Sequence, residues 1–160
     1  MVLKDQIKEM KKINKLIINK SKTGGRNNQG RITAYHRGGG NKALSRVVDH
    51  RRSLFNIPGL VKKIEYDPNR TANLALIAYK NGILSYILAP GLLRPGAIIC
   101  AGTCVDLNIG NAMPIGKMPI GTMVHNVELK PGHGGQIIRA AGTYAKLIRN
   151  KQTNLSFSNY

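Results

Sequence analysis

Short, mostly apolar runs recur along most of this chain, and turn residues separate the runs. Val61 to Tyr66, Leu74 to Tyr79 and Ile83 to Leu88 are each about as long as an ordinary β-strand. Asn81-Gly82 is a strong hairpin signal and predicts a two-residue type I′ turn. Further strands are predicted at residues 31–35, 45–49, 97–100, 122–129, 135–138, 144–149 and 154–157. The pattern predicts a mainly β protein built from small barrels.

The beginning of the chain follows a helical period instead. Its apolar positions are Leu3, Ile7, Met10, Ile13 and Ile17, with lysines between them. The spacing predicts a basic amphipathic helix over residues 1–19. An organellar presequence, a membrane-surface helix and an arm lying on RNA all fit this pattern. Because the segment has no Arg and contains Asp5 and Glu9, a retained extension is favoured over a presequence.

Positive charge is concentrated in the front part of the chain. The formal net charge is +18, and residues 20–63 contain eleven Lys and Arg residues against one acid, Asp49. Glycines at Gly24-Gly25 and at residues 38–40 would let backbone N–H groups approach a ligand closely. Uncompensated charge beside such backbone predicts binding to a polyanion, with RNA as the first candidate. A solvated disordered tail is the competing hypothesis, and the apolar residues within the segment disfavour it.

Ten basic residues are predicted to contact RNA. Arginine can fork two hydrogen bonds onto a phosphate or stack on a base, whereas lysine acts as a point charge. The predicted contacts are Lys22, Arg26, Arg31, His36, Arg37, Lys42, Arg46, Arg51, Arg52 and Arg70. A second glycine cluster at residues 130–135 fits either a plain hairpin loop or a backbone pressed against an RNA groove.

Catalytic chemistry finds little support in the remaining residues. The acids include no close pair suited to acid–base work, and Asp67 is predicted to cap a turn. Cys100 and Cys104 could bind zinc with His125 and His133, but seven residues separate the histidines where about three to five are usual. We therefore predict no enzyme activity, no metal and no cofactor. A metal- or nucleotide-dependent enzyme and a protein held at a membrane surface by its first helix are the alternatives. No apolar run reaches the roughly 18 residues of a membrane span.

Several sequence blocks, taken in order, resemble the universal ribosomal protein L2 family of the large subunit. They include Gly24-Gly25-Arg26-Asn27-Asn28, His36-Arg37-Gly38-Gly39-Gly40, Tyr66-Asp67-Pro68-Asn69-Arg70, Val124-His125-Asn126-Val127-Glu128 and Arg139-Ala140-Ala141-Gly142-Thr143-Tyr144. The resemblance implies an oligonucleotide-binding (OB) barrel followed by an SH3-like barrel. It also implies binding to large-subunit ribosomal RNA near the peptidyl transferase centre, contact with other ribosomal proteins, and support of subunit assembly and association.

The resemblance also suggests how the chain is divided. We expect a basic N-terminal extension at residues 1–31, an OB-fold RNA-binding domain at 32–109 and a partial SH3-like domain at 110–160. Residues 111–121 are predicted to be a rigid linker between the barrels. Because family members continue with further strands, a second polypeptide is expected to complete the incomplete second barrel by packing on residues 154–157. Heavy use of Ile, Asn and Lys predicts a mitochondrial ribosome, with another organellar or a bacterial ribosome as the alternative.

Overall fold

The structure is a computed structural model that describes residues 13–19, 22–41, 43–151 and 154–158. The strands in this part are β1 (Ile17–Asn19), β2 (Leu44–Arg46), β3 (Gly59–Glu65), β4 (Leu74–Tyr79), β5 (Leu84–Leu88), β6 (Ile98–Ile99), β7 (Met123–Val124), β8 (Ala145–Lys151) and β9 (Asn154–Ser158). A short 3-10 helix, Ile115–Lys117, lies between β6 and β7. The protein is mainly β, as predicted. It forms two compact units, residues 1–46 and residues 47–160. The domain boundaries predicted after residues 31 and 109 stay a prediction.

The first unit contains an antiparallel pair of strands where the sequence predicts a helix. β1 pairs with β2, and Ile17 lies opposite Arg46. The helix prediction is therefore wrong over residues 17–19. Ile13 and Asn14 are helical, as predicted, and residues 1–12 lie outside the described part of the chain. Ile17 and Ile18 are β-branched and favour extended backbone, and pairing with β2 supplies the hydrogen bonds that a helix would make internally.

The four-stranded sheet of the second unit has the order β5-β4-β3-β6, with every pair antiparallel. One face carries a buried core of Val61, Ala75, Ile77, Tyr79, Ile87, Leu93 and Ile99. Ala75, Ile77 and Tyr79 point to this face because every second side chain of a strand does so. Leu74 and Leu76, on the other face of β4, are buried as well. A bulge between Val61 and Lys63 bends β3. A short, bent, antiparallel sheet of this kind is consistent with an OB-like barrel.

The hairpin between β4 and β5 has the predicted strands but a different turn. Tyr79 N donates to Ile83 O at 2.9 Å, and Gly82 N donates to Tyr79 O at 2.9 Å. Gly82 has φ 78°, but Asn81 is not in the positive-φ region, so the predicted type I′ turn is wrong. The geometry is that of a three-residue loop, with Gly82 in the left-handed position after an ordinary turn. Asn81 Oδ1 accepts a hydrogen bond from Ile83 N at 3.2 Å, which stabilises this form.

The three-stranded sheet of the second unit has the order β7-β8-β9 and is consistent with an SH3-like barrel. Its buried residues are Val124, Val127 and Ala145, and Ile115 and Met118 pack against them. Part of the segment predicted to be a linker is therefore a component of this second core. The predicted strand at 122–129 is short because Asn126 has φ 51° and interrupts the extended backbone.

Candidate nucleic-acid interface

In the first unit, a tight hairpin presents Arg26 and Arg31. Asn27 Oδ1 accepts hydrogen bonds from two backbone N–H groups beyond it, with Arg31 N 2.9 Å away. Arg26 Nη1 donates to Gly24 O at 2.9 Å. Both arginines are exposed. The asparagine turn therefore fixes the position of two cations and leaves most of their donor groups open to a ligand.

Glycine is required where this hairpin meets the following loop. Gly25 has φ 74°, and its carbonyl accepts hydrogen bonds from Thr33 N at 2.8 Å and Ala34 N at 3.1 Å. A side chain at Gly25 would overlap the Ala34 carbonyl, and its Cβ would lie 3.3 Å from Arg37 Cβ. The absence of a side chain at Gly25 thus brings Arg37, which is exposed, against the hairpin.

The other predicted contacts of the first unit differ in how they are held. Lys22 is exposed, and its Nζ donates to Asn41 O at 2.7 Å, so this lysine also braces the loop. His36 is exposed and has φ 59°, a conformation that residues with a side chain seldom adopt. Arg46 is half-buried in the sheet. Lys42 lies outside the described residues.

In the second unit, the adjacent Arg51 and Arg52 point in different directions. Asp49 Oδ1 accepts hydrogen bonds from their backbone N–H groups at 3.0 and 2.9 Å. Arg51 is exposed. Arg52 has φ 53° and turns inward, where Nη1 donates to Gly110 O at 3.0 Å and both Nε and Nη2 are buried. The sequence treats the two residues alike, but this geometry favours Arg51 as an RNA contact.

A buried carboxylate positions Arg70. Asp67 is fully buried and accepts hydrogen bonds from Asn69 N at 3.1 Å, Asn69 Nδ2 at 3.1 Å and Arg70 Nε at 2.7 Å. Burial by itself raises the pKa of Asp67, but the hydrogen bonds from Asn69 and Arg70 outweigh burial and hold this pKa below its ordinary value. The predicted turn role of Asp67 is confirmed, and the same carboxylate fixes the direction in which Arg70 leaves the turn.

The glycine loop at residues 130–135 is held together by a carboxylate of the same hairpin. Glu128 accepts hydrogen bonds from Gly132 N at 2.8 Å and from Gly134 N at 3.0 Å. These two N–H groups are therefore engaged within the protein. These hydrogen bonds fix the shape of the loop and are compatible with both alternatives, a plain hairpin loop and a backbone pressed against an RNA groove. Lys130 and His133 remain exposed in the loop.

Three segments of the second unit meet around His50. His50 Nδ1 lies 3.2 Å from Asn126 Oδ1, and Gly135 N donates to His50 O at 3.0 Å. A third contact joins the loop after Arg70 to the loop after Arg139, because Ala141 N donates to Thr71 Oγ1 at 3.1 Å. These hydrogen bonds join loops that are far apart in sequence and fix the cations that the loops carry.

The same contacts bring arginines towards His50. Arg139 Nη1 donates to Gly135 O at 3.4 Å, and a Cβ at Gly134 would lie 3.2 Å from Arg51 Cγ and 3.4 Å from His50. Burial lowers the pKa of His50, and the positive charges of Arg139 and Arg70 lower it further. We name the group formed by His50, Arg51, Arg70 and Arg139 the His50 cluster. Arg139 is not predicted from the sequence, because it lies outside the basic segment. Arg139 does belong to one of the blocks that carry the family resemblance, and that block was the sequence feature that could have indicated it as a functional residue.

The described residues give no support to a metal site. Cys100 is half-buried and Cys104 exposed, and both thiols are free. No group of three or more His, Cys, Asp or Glu side chains within this part of the chain could hold a metal ion. Burial lowers the pKa of His125, and the charge of Arg52 lowers it further. Within the same residues, no helix is both long enough and apolar enough to cross a membrane.

The protein is mainly β and holds arginines on rigid turns beside glycine-rich backbone. This arrangement is suited to nucleic-acid phosphates and indicates the class of nucleic-acid-binding β proteins. The family described as "Ribosomal Proteins L2, RNA binding N-terminal domain" matches residues 13–101. The family described as "Ribosomal Proteins L2, C-terminal domain" matches residues 108–158. The chain belongs to the ribosomal protein L2 family, as the sequence blocks suggest.

Bacterial proteins named "Large ribosomal subunit protein uL2" are similar to most of this chain. The protein of Cereibacter sphaeroides is 60% identical over 127 residues, which cover 79% of this chain and 46% of the relative. The protein of Parvibaculum lavamentivorans is 54% identical over 132 residues, or 82% and 48% of the two chains. The protein of Buchnera aphidicola subsp. Cinara cedri is 56% identical over 133 residues, or 83% and 49%. The chain spans about half the length of these relatives.

Proposed function

We propose that this chain is a structural component of the large ribosomal subunit and binds large-subunit ribosomal RNA. The observation that carries the proposal is the match of residues 13–101 to an RNA-binding domain of the L2 family. Within that range lie the turns that hold Arg26, Arg37 and Arg70. Following the family resemblance, we place the bound RNA near the peptidyl transferase centre and give the protein a role in subunit assembly and association, without enzyme activity.

The arrangement of charge supports binding to phosphates over binding to a protein surface. The chain has 25 Lys and Arg residues and 7 acids, so most of its bases have no acid to neutralise them. Within the described part of the chain, Arg70 forms an ion pair with Asp67, and Lys63 forms one with Glu65. Arg26, Arg31 and Arg51 are exposed on backbone fixed by hydrogen bonds. Cations fixed in this way lose little conformational freedom when they bind a phosphate.

The salt dependence of RNA binding tests this proposal. We would measure the affinity of the full chain for large-subunit ribosomal RNA fragments over a range of salt concentrations. Replacing Arg26, Arg31 and Arg37 together with Gln should lower the slope of log K against log salt by about two to three, since each lost phosphate contact lowers it by about 0.7–0.9. A matched control removes three exposed cations elsewhere, in the variant Lys80→Gln, Arg94→Gln, Lys146→Gln.

Two results would count against these assignments. If the control variant lowers the slope as much as the arginine variant, binding depends on total charge and not on the hairpin. If the slope is unchanged in the arginine variant, the hairpin arginines are not phosphate contacts. Absence of binding to any large-subunit fragment would contradict the proposed function itself.

The location and the protein partners are narrower proposals. Rich use of Ile, Asn and Lys supports a mitochondrial ribosome, whereas the relatives named above come from bacteria and support the bacterial alternative. Fractionation of cells from the source organism distinguishes the two.

We also propose contacts with other ribosomal proteins. Among the described residues β9 pairs with β8 alone, so a partner strand would add to its other edge.

A further inference from the structure

The ring of His50 has one nitrogen engaged and one open. Nδ1 lies 3.2 Å from Asn126 Oδ1, an acceptor, so Nδ1 carries the proton of the neutral ring. Nε2 then has a lone pair. Within the described residues Nε2 makes no hydrogen bond, and it does not belong to the buried polar atoms that lack a partner there. Nε2 is therefore not fully buried, and its lone pair can accept a proton.

Three arginines and three carboxylates lie around His50. Asp49 and Arg51 lie on its own loop, Arg70 and its partner Asp67 on the adjoining turn, and Arg139 on the second hairpin, where Glu128 is bound to the loop glycines. Burial is the largest cause that lowers the pKa of His50, with Arg139 and Arg70 next, while Asn126 and Asp49 raise it. Asp67 is paired to Arg70, and Asp49 accepts hydrogen bonds from the backbone of Arg51 and Arg52. The Arg51 and Arg139 side chains form no ion pair among the described residues, and Arg139 Nη1 donates to Gly135 O at 3.4 Å.

The exposed guanidinium groups of Arg51 and Arg139 can therefore bind an external anion. We propose that His50 is itself a phosphate ligand: its Nε2, together with Arg51, Arg70 and Arg139, binds one phosphodiester of the RNA. The inference rests on the proposed function and adds to it a residue type that the basic pattern of the sequence does not mark for this role. It also makes RNA binding dependent on a proton.

The sign of that dependence follows from the charges. A bound phosphate offsets the repulsion from Arg70 and Arg139 and accepts a hydrogen bond from protonated Nε2, so the pKa of His50 is higher in the complex than in the free protein. Binding therefore takes up a proton. RNA affinity rises as pH falls through the pKa of the complex and levels off below the pKa of the free protein. A difference of about one pKa unit corresponds to about tenfold in affinity.

Nuclear magnetic resonance of the imidazole nitrogens tests the inference directly. In the full chain without RNA, the neutral His50 ring should show the Nδ1–H tautomer and a pKa below 6.5. Addition of a large-subunit RNA fragment should raise that pKa. Inorganic phosphate alone serves as a second probe, and an equal shift at low phosphate concentration would show a free-phosphate site and overturn the assignment to RNA.

Matched variants identify the source of any pH dependence. His50→Gln retains an N–H donor for Asn126 but does not titrate, so the variant should bind RNA with an affinity that no longer rises at low pH. His133→Gln, at an exposed histidine outside the predicted RNA contacts, should keep the wild-type pH dependence. Calorimetry in buffers of different ionisation enthalpy should show proton uptake on binding in the wild type and in this control, and none in His50→Gln.

The outcomes separate this inference from the proposed function. If RNA binds with the expected salt slope but the His50 ring keeps its free pKa, the inference is wrong and the proposed function stands. Proton uptake that persists in His50→Gln has the same meaning. If no large-subunit RNA fragment binds at any pH, the proposed function fails first.

Discussion

Replacement of Asp67 by Ala tests the account of how Arg70 is positioned. The substitution removes the acceptor of Asn69 N at a part-buried position, which costs about 1–3 kcal/mol. It also removes the hydrogen bond of 2.7 Å between Arg70 Nε and the Asp67 carboxylate. That charged interaction contributes less than a fully buried one, because the Arg70 side chain is 26% exposed and water can replace part of it. We expect a total loss of about 2–4 kcal/mol in the free energy of unfolding.

Urea denaturation of the full chain measures this loss, and thermal unfolding should show a fall in Tm of about 2–4 °C per kcal/mol. Asp106→Ala is the matched control, since Asp106 is exposed in a loop, and we expect a change within about 0.5 kcal/mol. A loss of less than about 1 kcal/mol for Asp67→Ala, comparable to the control, would refute the reasoning. It would mean that the turn keeps its geometry without the carboxylate.

Three further predictions follow from the same contacts. Gly135→Ala should destabilise the protein by about 1–3 kcal/mol, because the new Cβ would overlap Asn126 Oδ1, whereas Gly116→Ala, with open space around it, should be nearly neutral in urea denaturation. The pKa of Asp67 is lower in the folded chain than its ordinary value of 3.8, so its contribution is present above that pH and lost as pH falls through the folded pKa. Asp67→Asn should therefore reduce the loss of stability in acid, measured by denaturation at a series of pH values. Ile77→Ala, in the core, should cost about 2–5 kcal/mol by the same assay.

The elements that were predicted well are those whose signal is local. β4 begins and ends where the apolar run before the Asn81-Gly82 turn predicts, and β5 differs by one residue at its start. Their cross-strand partners are near in sequence, so the pattern of side chains and the turn between them suffice. β1 shows the opposite case. Its residues follow a helical period, but they pair with β2, about 25 residues away, and only the folded chain reveals that pairing.

The candidate site was predicted in its chemistry but not in its geometry. Residue type and charge indicate arginine and RNA, and they mark Arg51 and Arg52 equally. The direction of each side chain depends on contacts that composition does not encode, such as Arg52 with the Gly110 carbonyl. The same is true of Arg139 and His50, which share a cluster because Gly135 and Asn126 hold distant loops together. Tertiary contacts of this kind have no local sequence signal.

The central claim is that this chain is an integral RNA-bound component of the large ribosomal subunit. The most direct test is to fractionate native particles of the source organism on sucrose gradients at moderate and at high salt, following the chain by mass spectrometry. The account predicts that the chain sediments with the large subunit and stays with it at high salt. Sedimentation as a free small protein under both conditions would contradict the claim.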